Sequence, residues 1–311
     1  MEETVKKIIE HHFHEVPVRV ERMTMGICNE VYAAHLEDKE VIVRLSTREQ
    51  NLIGSHYYIP LFRSLGIKVP EMLAEDYMKT VVPFAYQIQT RIPGKDLGDV
   101  IEQLTDKQLG DLAHEIASII QKVSGVPASN QFGDAWGSDG DFSDTLTERI
   151  KMQIDKAKAR GAKTGVMDAA TLQLIDALFA KQRPYFDSVK ARLYYGDICS
   201  KNVMIHNGAF SGLVDLDNLA QGDPLESVGR IKISWYGTRY GKIYTDAVME
   251  ELKLTNEQRR AATAYALLHA ICWACENGIK FNENTKAVVD QERRARDKQR
   301  IQAIAAELTL R

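Results

Sequence analysis

Leu193-Tyr194-Tyr195-Gly196-Asp197-Ile198-Cys199-Ser200-Lys201-Asn202-Val203-Met204-Ile205, then His206-Asn207-Gly208, then Ala209-Phe210-Ser211-Gly212-Leu213-Val214-Asp215-Leu216-Asp217 and Gly222-Asp223-Pro224, is the stretch on which the reading of this chain turns. It sets a carboxylate, Asp197, five residues before a carboxamide, Asn202, and a second carboxylate, Asp215, at the end of an apolar run. Val203–Ile205 and Phe210–Val214 read as short strands, and Asn207-Gly208 between them is a strong hairpin signal. Such a hairpin brings Asn202 and Asp215 together at its open end, a rigid base for two ligands.

That spacing suits phosphoryl transfer, which needs charge neutralisation and alignment more than covalent help from protein. Magnesium takes oxygen ligands, a carboxylate or two plus phosphate oxygens. Asn202 and Asp215 are the oxygen donors assigned to it. Asp197 is assigned to accept the hydrogen bond of an acceptor hydroxyl and then its proton. A polar loop beside a hairpin is the bland alternative for any one of these residues; their order and spacing together favour chemistry.

At these residues the chain resembles the aminoglycoside phosphotransferase and choline kinase superfamily, whose fold is similar to that of protein kinases. The pattern there is His-Gly-Asp-x-x-x-x-Asn, a strand ending in Ile-Asp-x-Asp/Glu, and Gly-Asp-Pro. Tyr195-Gly196-Asp197, Asn202, Val214-Asp215-Leu216-Asp217 and Gly222-Asp223-Pro224 match it. The resemblance implies an α+β, two-lobed fold, with a small antiparallel sheet lobe at 1–92, a hinge at about 86–94 and a larger helical lobe at 93–311. It implies ATP and Mg2+, Asp197 as the catalytic residue, Asn202 and Asp215 as metal ligands, and Asp217 as an acidic position that contacts metal or orients the site. Asp223 is read as a helix N-cap before Pro224. Tyr195 stands where the family has His, and its hydroxyl is expected to take over the loop-orienting role.

Upstream, Val18–Met25, Glu30–Leu36 and Glu40–Ser46 read as antiparallel strands. Met25–Glu30 lies where the family has its phosphate-covering loop, which makes Gly26 and Asn29 nucleotide candidates; with one glycine rather than G-x-G-x-x-G, a plain hairpin loop is the alternative. Arg44 sits on the third strand where a kinase needs a cation over the α- and β-phosphates, and Arg can fork to phosphate oxygens. A helix over about 50–65, interrupted by Pro60 and ended by Gly66, ought to supply a Glu for Arg44; only Glu49 is near, and it lies early. Strands at about 69–75 and 84–91 complete the lobe, and Gln89 and Thr90 lie where the hinge meets the adenine edge. Beyond Gly94 the pattern turns helical, with helices expected at about 143–160, 168–182, 224–236, 241–251, 256–277 and 283–308.

The acceptor is less legible. Asp141, in the acidic loop Ser138–Asp144, could hold a cationic amino sugar, or the loop is simply solvated. Glu226 follows Gly-Asp-Pro. Trp273 and Glu276, three apart on one helix, share a face and suit a cation, or else serve core packing. Arg230, Lys232 and Arg239 point instead to an anion. The expected activity is O-phosphorylation of a small polar molecule, aminoglycoside-like first, with choline, amino alcohols and sugars open. A nucleotide-binding regulatory module with little turnover is the contrasting reading, favoured by Tyr195 and the missing helix Glu. A protein kinase fits poorly, since His-Arg-Asp, Asp-Phe-Gly and Ala-Pro-Glu are lacking.

Composition agrees with an enzyme of this size. The chain has 311 residues, 44% of them hydrophobic, enough for a large core. A net charge of −3 gives no electrostatic case for nucleic acid. No apolar run reaches membrane-span length. Met1-Glu2-Glu3 opens an acidic amphipathic helix rather than a targeting segment, so a cytoplasmic location is expected. Cys272-Trp273-Ala274-Cys275 lies in a helical pattern and reads as buried thiols rather than a zinc site.

Overall fold

The computed structural model describes residues 1–23, 29–136, 140–281 and 285–309. Its first third is a five-stranded antiparallel sheet built from β1 (Arg19–Met23), β2 (Glu30–His35), β3 (Glu40–Ser46), β4 (Met72–Asp76) and β5 (Ala85–Thr90), in the order β1-β2-β3-β5-β4. Helix α1 (Glu2–Phe13) covers one face through Val5, Ile8 and Ile9, which join Tyr32, Val43, Leu45 and Ile88 in a small separate core.

Helix α2 (Ile53–Ser64) begins later than the sequence suggests, because Glu49–Asn51 forms a 3-10 turn before it. It also runs through Pro60. Tyr58, Ile59 and Phe62 are almost fully buried, each contributing about 1.5–3 kcal/mol by area, which together outweighs the ~3 kcal/mol of an interior proline. Gly66 follows at φ 69°, and Ile67 N–H donates to Phe62 C=O, closing the helix in a left-handed cap. These α2 side chains pack into the core of the helical lobe rather than the sheet core.

The helical lobe opens with the short β6 (Lys95–Asp96), α3 (Leu97–Val100) and α4 (Asp106–Ser124). The expected hairpin is β10 (Val203–His206) and β11 (Ala209–Leu213), joined by Asn207 and Gly208, both at positive φ as a type I′ turn requires. A second, four-stranded sheet was not foreseen: β7 (Phe132–Ala135), β8 (Gly140–Ser143), β9 (Arg192–Tyr194) and β12 (Leu219–Gly222), in the order β8-β7-β12-β9. Its strands are three or four residues long, too short to carry a period-two signal.

Around these lie α5 (Leu146–Thr164), α6 (Ala169–Ser188), α7 (Leu225–Ser234), α8 (Arg239–Glu251), α9 (Asn256–Ala274) and α10 (Gln291–Glu307). Helix α5 starts at a Thr145–Glu148 capping box rather than at Ser143, which is still in β8. Asp223 accepts from Leu225 N–H at 3.0 Å and from the Tyr185 and Tyr265 hydroxyls at 2.7 and 3.1 Å, so it ties the start of α7 into the core. Among the described residues, no helix is long and apolar enough to cross a membrane.

Candidate active site

Two connected clefts separate the lobes. A narrow one, of ≈160 Å³, has Val31 and Ile42 on the sheet side, Met204 and Val214 on the hairpin side, and Gln89 and Thr90 on its wall. Apolar faces on both sides with the end of β5 behind make a slot for a flat aromatic base. The Thr90 N–H donates to Glu71 C=O at 2.9 Å, and its hydroxyl accepts from Glu71 N–H at 2.8 Å. Those two groups of Thr90 therefore face β4, and the neighbouring Arg91 and Ile92 share the wall with it. The Gln89 side chain turns inward and donates to Gln87. A wider cleft, of ≈950 Å³, opens from the inner end, and Asp215, Arg44 and Lys201 line both.

Asp197, Asn202 and Asp215 meet at this junction. The Asn202 Nδ2 donates to the Asp197 backbone oxygen at 2.9 Å and to its Oδ2 at 2.8 Å. That leaves the amide Oδ1 as the donor Asn202 can offer a cation. Val214 N–H donates to Asn202 C=O at 3.1 Å, locking the two ends of the hairpin together. Asp215 has φ 64°, a left-handed conformation uncommon outside glycine. Tyr195 holds that turn in place: its hydroxyl is 2.9 Å from Val214 O and 3.1 Å from Asp215 O. Phe62 meets the Tyr195 ring edge-on at 6.0 Å, so α2 buttresses the same residue.

Asp197 also accepts from Arg230 Nη2 at 2.7 Å and from the Cys199 thiol at 3.4 Å. Burial alone would raise its carboxyl, but the Arg230 and Lys201 charges outweigh burial and hold it below the usual carboxylate range. Burial pushes the Cys199 thiol up to about 12, with Asp197 adding to the effect, so Cys199 stays protonated and donating. The Lys201 side chain, which the sequence reading passed over, makes no hydrogen bond or close ion pair among the described residues, although it lies in the field of Asp197 and Asp215. Its place between Asp197 and Asn202 was the available signal.

Arg44 does not pair with Glu49. It forks instead to Asp217, with Nη1–Oδ1 at 3.0 Å and Nη2–Oδ2 at 2.5 Å, and reaches Asp215 Oδ1 at 2.8 Å. Ser55 of α2 donates to Asp217 Oδ1 at 2.5 Å, and Asn29 Nδ2 to Asp217 Oδ2 at 3.2 Å. Gly54 permits this docking, since a Cβ there would lie 1.6 Å from the Asp217 carbonyl oxygen. Of the two roles expected of Asp217, metal contact or orientation, this geometry favours orientation: it is 3% exposed and both its oxygens accept hydrogen bonds. Burial pushes its carboxyl up to about 7, opposed by Arg44. Gly26 lies outside the described residues.

Of the four acceptor candidates, Trp273 and Glu276 line the wide cleft and two do not. Asp141 sits in β8, bound to Arg149 at 3.2 Å and 3.7 Å from Lys156, so its charge is already met. Glu226 is buried behind the cleft, where the Tyr194 hydroxyl donates to it at 2.5 Å and His269 lies 3.7 Å away. Glu226 and Arg230 share one face of α7, and position along the helix rather than phase buries Glu226. Arg230, one turn on, faces the cleft and stacks over Trp273 at 5.1 Å. Lys232 and Arg239 point elsewhere, to Glu307 and Asp106. Among the described residues, no three His, Cys, Asp or Glu side chains gather as a metal cage.

A β-sheet lobe and a helical lobe, with an Asp–Asn–Asp cluster where their clefts join, define a kinase-like phosphotransferase. The chain matches the family model described as the phosphotransferase enzyme family (APH) over residues 19–262, and it belongs to that family. It is accordingly a small-molecule phosphotransferase. No curated protein sequence matches it. Among solved structures, a thermostable mutant of aminoglycoside phosphotransferase APH(4)-Ia in its apo form is similar, with 18% identity, 97% of this chain and 98% of that chain covered, and a TM-score of 0.74. The streptomycin-ATP-APH(2")-IIa ternary complex gives 12% identity over 100% and 99% at 0.65. A putative fructosamine-3-kinase from Haemophilus somnus 129PT gives 13% over 98% and 97% at 0.67. At these identities the likeness speaks for the fold.

Proposed function

We propose that this chain transfers the γ-phosphoryl group of ATP, with Mg2+, to a hydroxyl of a small polar molecule. Residues 1–92 act as the nucleotide-binding lobe, with the hinge at about 86–94 and Gln89 and Thr90 on the adenine wall. Residues 93–311 carry the catalytic loop and the acceptor site. The observation that carries this is the meeting of Asp197, Asn202 and Asp215 at the junction of a narrow apolar slot and a wide polar cleft.

The donor set fits magnesium: Asp215 has a carboxylate oxygen beyond the one facing Arg44, and Asn202 has its amide oxygen, with phosphate oxygens to complete the shell. Bound there, Mg2+ would neutralise charge on the phosphates. Arg44 reaches Asp215 at the same end of the slot, and the unpaired Lys201 is placed to meet the transferred group. Asp197 takes the acceptor proton as the acceptor oxygen bonds to the γ-phosphorus, and the β,γ-bridging oxygen departs with ADP. A carboxylate held ionised by Arg230 suits alignment of the hydroxyl as much as strong basicity.

The regulatory-module reading loses its two arguments. The Tyr195 hydroxyl ties the loop, and Asp217 with Ser55 takes the place of the missing helix Glu. The family likeness puts aminoglycosides first among acceptors, and one similar structure is a ternary complex with AMP-PNP and hygromycin B; the charges of this chain's own cleft depart from that class. The test is Asp197→Asn under Mg-ATP with an acceptor panel. We expect turnover to fall by about a thousandfold or more while Mg-ATP still binds. Unchanged ADP release would sink the assignment.

A further inference from the structure

We infer that the acceptor is an anion, a small hydroxylated molecule whose carboxylate or phosphate is gripped by Arg300 and Arg230. This rests on the phosphotransferase reading above and narrows it. Every acid lining the wide cleft already has a cation: Asp134 has Arg149 at 2.5 Å, Asp197 has Arg230 at 2.7 Å, and Asp215 and Asp217 share Arg44. Glu276 has Arg160 at 3.6 Å and Asp297 has Arg293 at 3.4 Å. The lining cations without a side-chain partner among the described residues are Arg48, Lys201 and Arg300. An amino sugar entering this cleft would find each acid in contact with a cation, Arg44 being shared by Asp215 and Asp217, and the unpaired guanidinium groups of Arg48 and Arg300 facing it.

Arg230 strengthens the case. Its Nη2 holds Asp197, its guanidinium lies over Trp273, and its Nε is buried with no hydrogen-bond partner. Nη2 is the guanidinium nitrogen engaged by a side chain among the described residues, so the fork keeps a further N–H donor group for an oxyanion. Arg293, Asp297 and Arg300 follow one another at i, i+4 and i+7 on α10, so Arg300 continues the face that lines the cleft. Guanidinium forks match carboxylate and phosphate geometry in a way ammonium groups do not. Because Arg230 is already in contact with Asp197, an anion held on it brings a hydroxyl a few bonds away onto the catalytic carboxylate. Transfer then follows the balance given above: O–P bond formed, β,γ P–O bond broken, proton to Asp197.

The test measures Mg-ATP-dependent ADP release with three sets of acceptors. They are hydroxy acids (glycerate, gluconate), sugar phosphates (ribose 5-phosphate, glucose 6-phosphate), and cations (kanamycin, hygromycin B, choline). We expect at least one anion to exceed every cation in kcat/KM by about tenfold or more, and the better anionic arm identifies carboxylate or phosphate. Arg300→Glu should raise that acceptor's KM by roughly ten- to a hundredfold, mainly in KM rather than kcat, with Arg300→Lys restoring part of it. A cation turning over better than every anion, no anion turning over, or a KM indifferent to Arg300→Glu would each overturn the proposal. Mg-ATP binding by calorimetry, present in the parent chain and lost in Asp215→Asn, tests the phosphotransferase reading separately from the acceptor's charge.

Discussion

Arg44 on β3 and Asp217, beyond the end of β11, form a two-pronged ion pair across the lobes, with Nη1–Oδ1 at 3.0 Å and Nη2–Oδ2 at 2.5 Å. The pair is sealed: both side chains are less than a tenth exposed, and Ser55 of α2 donates to the same carboxylate. It joins the sheet lobe, α2 and the loop that carries Asp215 through one carboxylate.

Arg44→Lys should therefore not be conservative. A single ammonium cannot serve both oxygens of Asp217 and also Asp215. We expect the loss of about 1–3 kcal/mol of buried, charge-assisted bonding, read as a roughly tenfold or greater rise in the KM for Mg-ATP and a lower Tm. Ser55→Ala should shift both in the same direction by less. An unaltered KM in both variants would show that the pair does not position the nucleotide.

Tyr195→Phe keeps the ring against Phe62 and removes the hydroxyl that holds the carbonyls of Val214 and Asp215. Asp215, at φ 64°, then loses the contact that fixes its left-handed turn. The stability cost should be about 1–2 kcal/mol, and the Mg2+ concentration for half-maximal activity should rise several-fold. Titrating activity against Mg2+ at saturating acceptor decides this, since a purely structural role would lower Tm and leave the metal requirement where it was.

Arg230→Gln removes the largest influence holding the Asp197 carboxyl below its usual range, leaving burial to push it up. The acid limb of the kcat/KM profile should accordingly move to higher pH. A fall in activity with the acid limb unmoved would mean that Arg230 acts on the acceptor alone.

Glu226 gives a stability prediction of known sign. Burial pushes its carboxyl up from 4.5 to about 7, opposed by the Tyr194 hydroxyl. The unfolded chain ionises first as pH rises, so between about 4.5 and 7 the folded state binds the extra proton and stability falls with pH. Glu226→Gln keeps the amide oxygen for Tyr194 and removes that penalty. It should stabilise the protein by about 1–3 kcal/mol at pH 8 and by much less at pH 5, measured as Tm against pH.

The hairpin and the meeting of Asn202 and Asp215 at its open end were legible because their signal is local: Asn207-Gly208 demands positive φ at two consecutive residues, and the strands flanking it fix where Asn202 and Asp215 end. The sheet β8-β7-β12-β9 was not, because its strands come from distant segments and none is long enough to show its period. The reading of Asp141 as part of a loop followed from it. An acidic loop in the sequence became a strand edge whose charge Arg149 neutralises. Pro60 misled in the other direction, since interior packing of α2 overrode a local breaker.

Sequence alone determined the chemistry this protein can hold: Asp197, Asn202 and Asp215 lie within nineteen residues, on a loop and hairpin whose local geometry their neighbours dictate. Tertiary structure alone decided which charges remain free to act. Asp217 and Arg44 are 173 residues apart, and Asp197 and Arg230 are 33 apart, so no local pattern reveals that they cancel. Charge in a cleft is a sum over partners brought together by packing, and that sum leaves the Arg300 guanidinium unpaired among the described residues where the isolated sequence offered acids and bases alike.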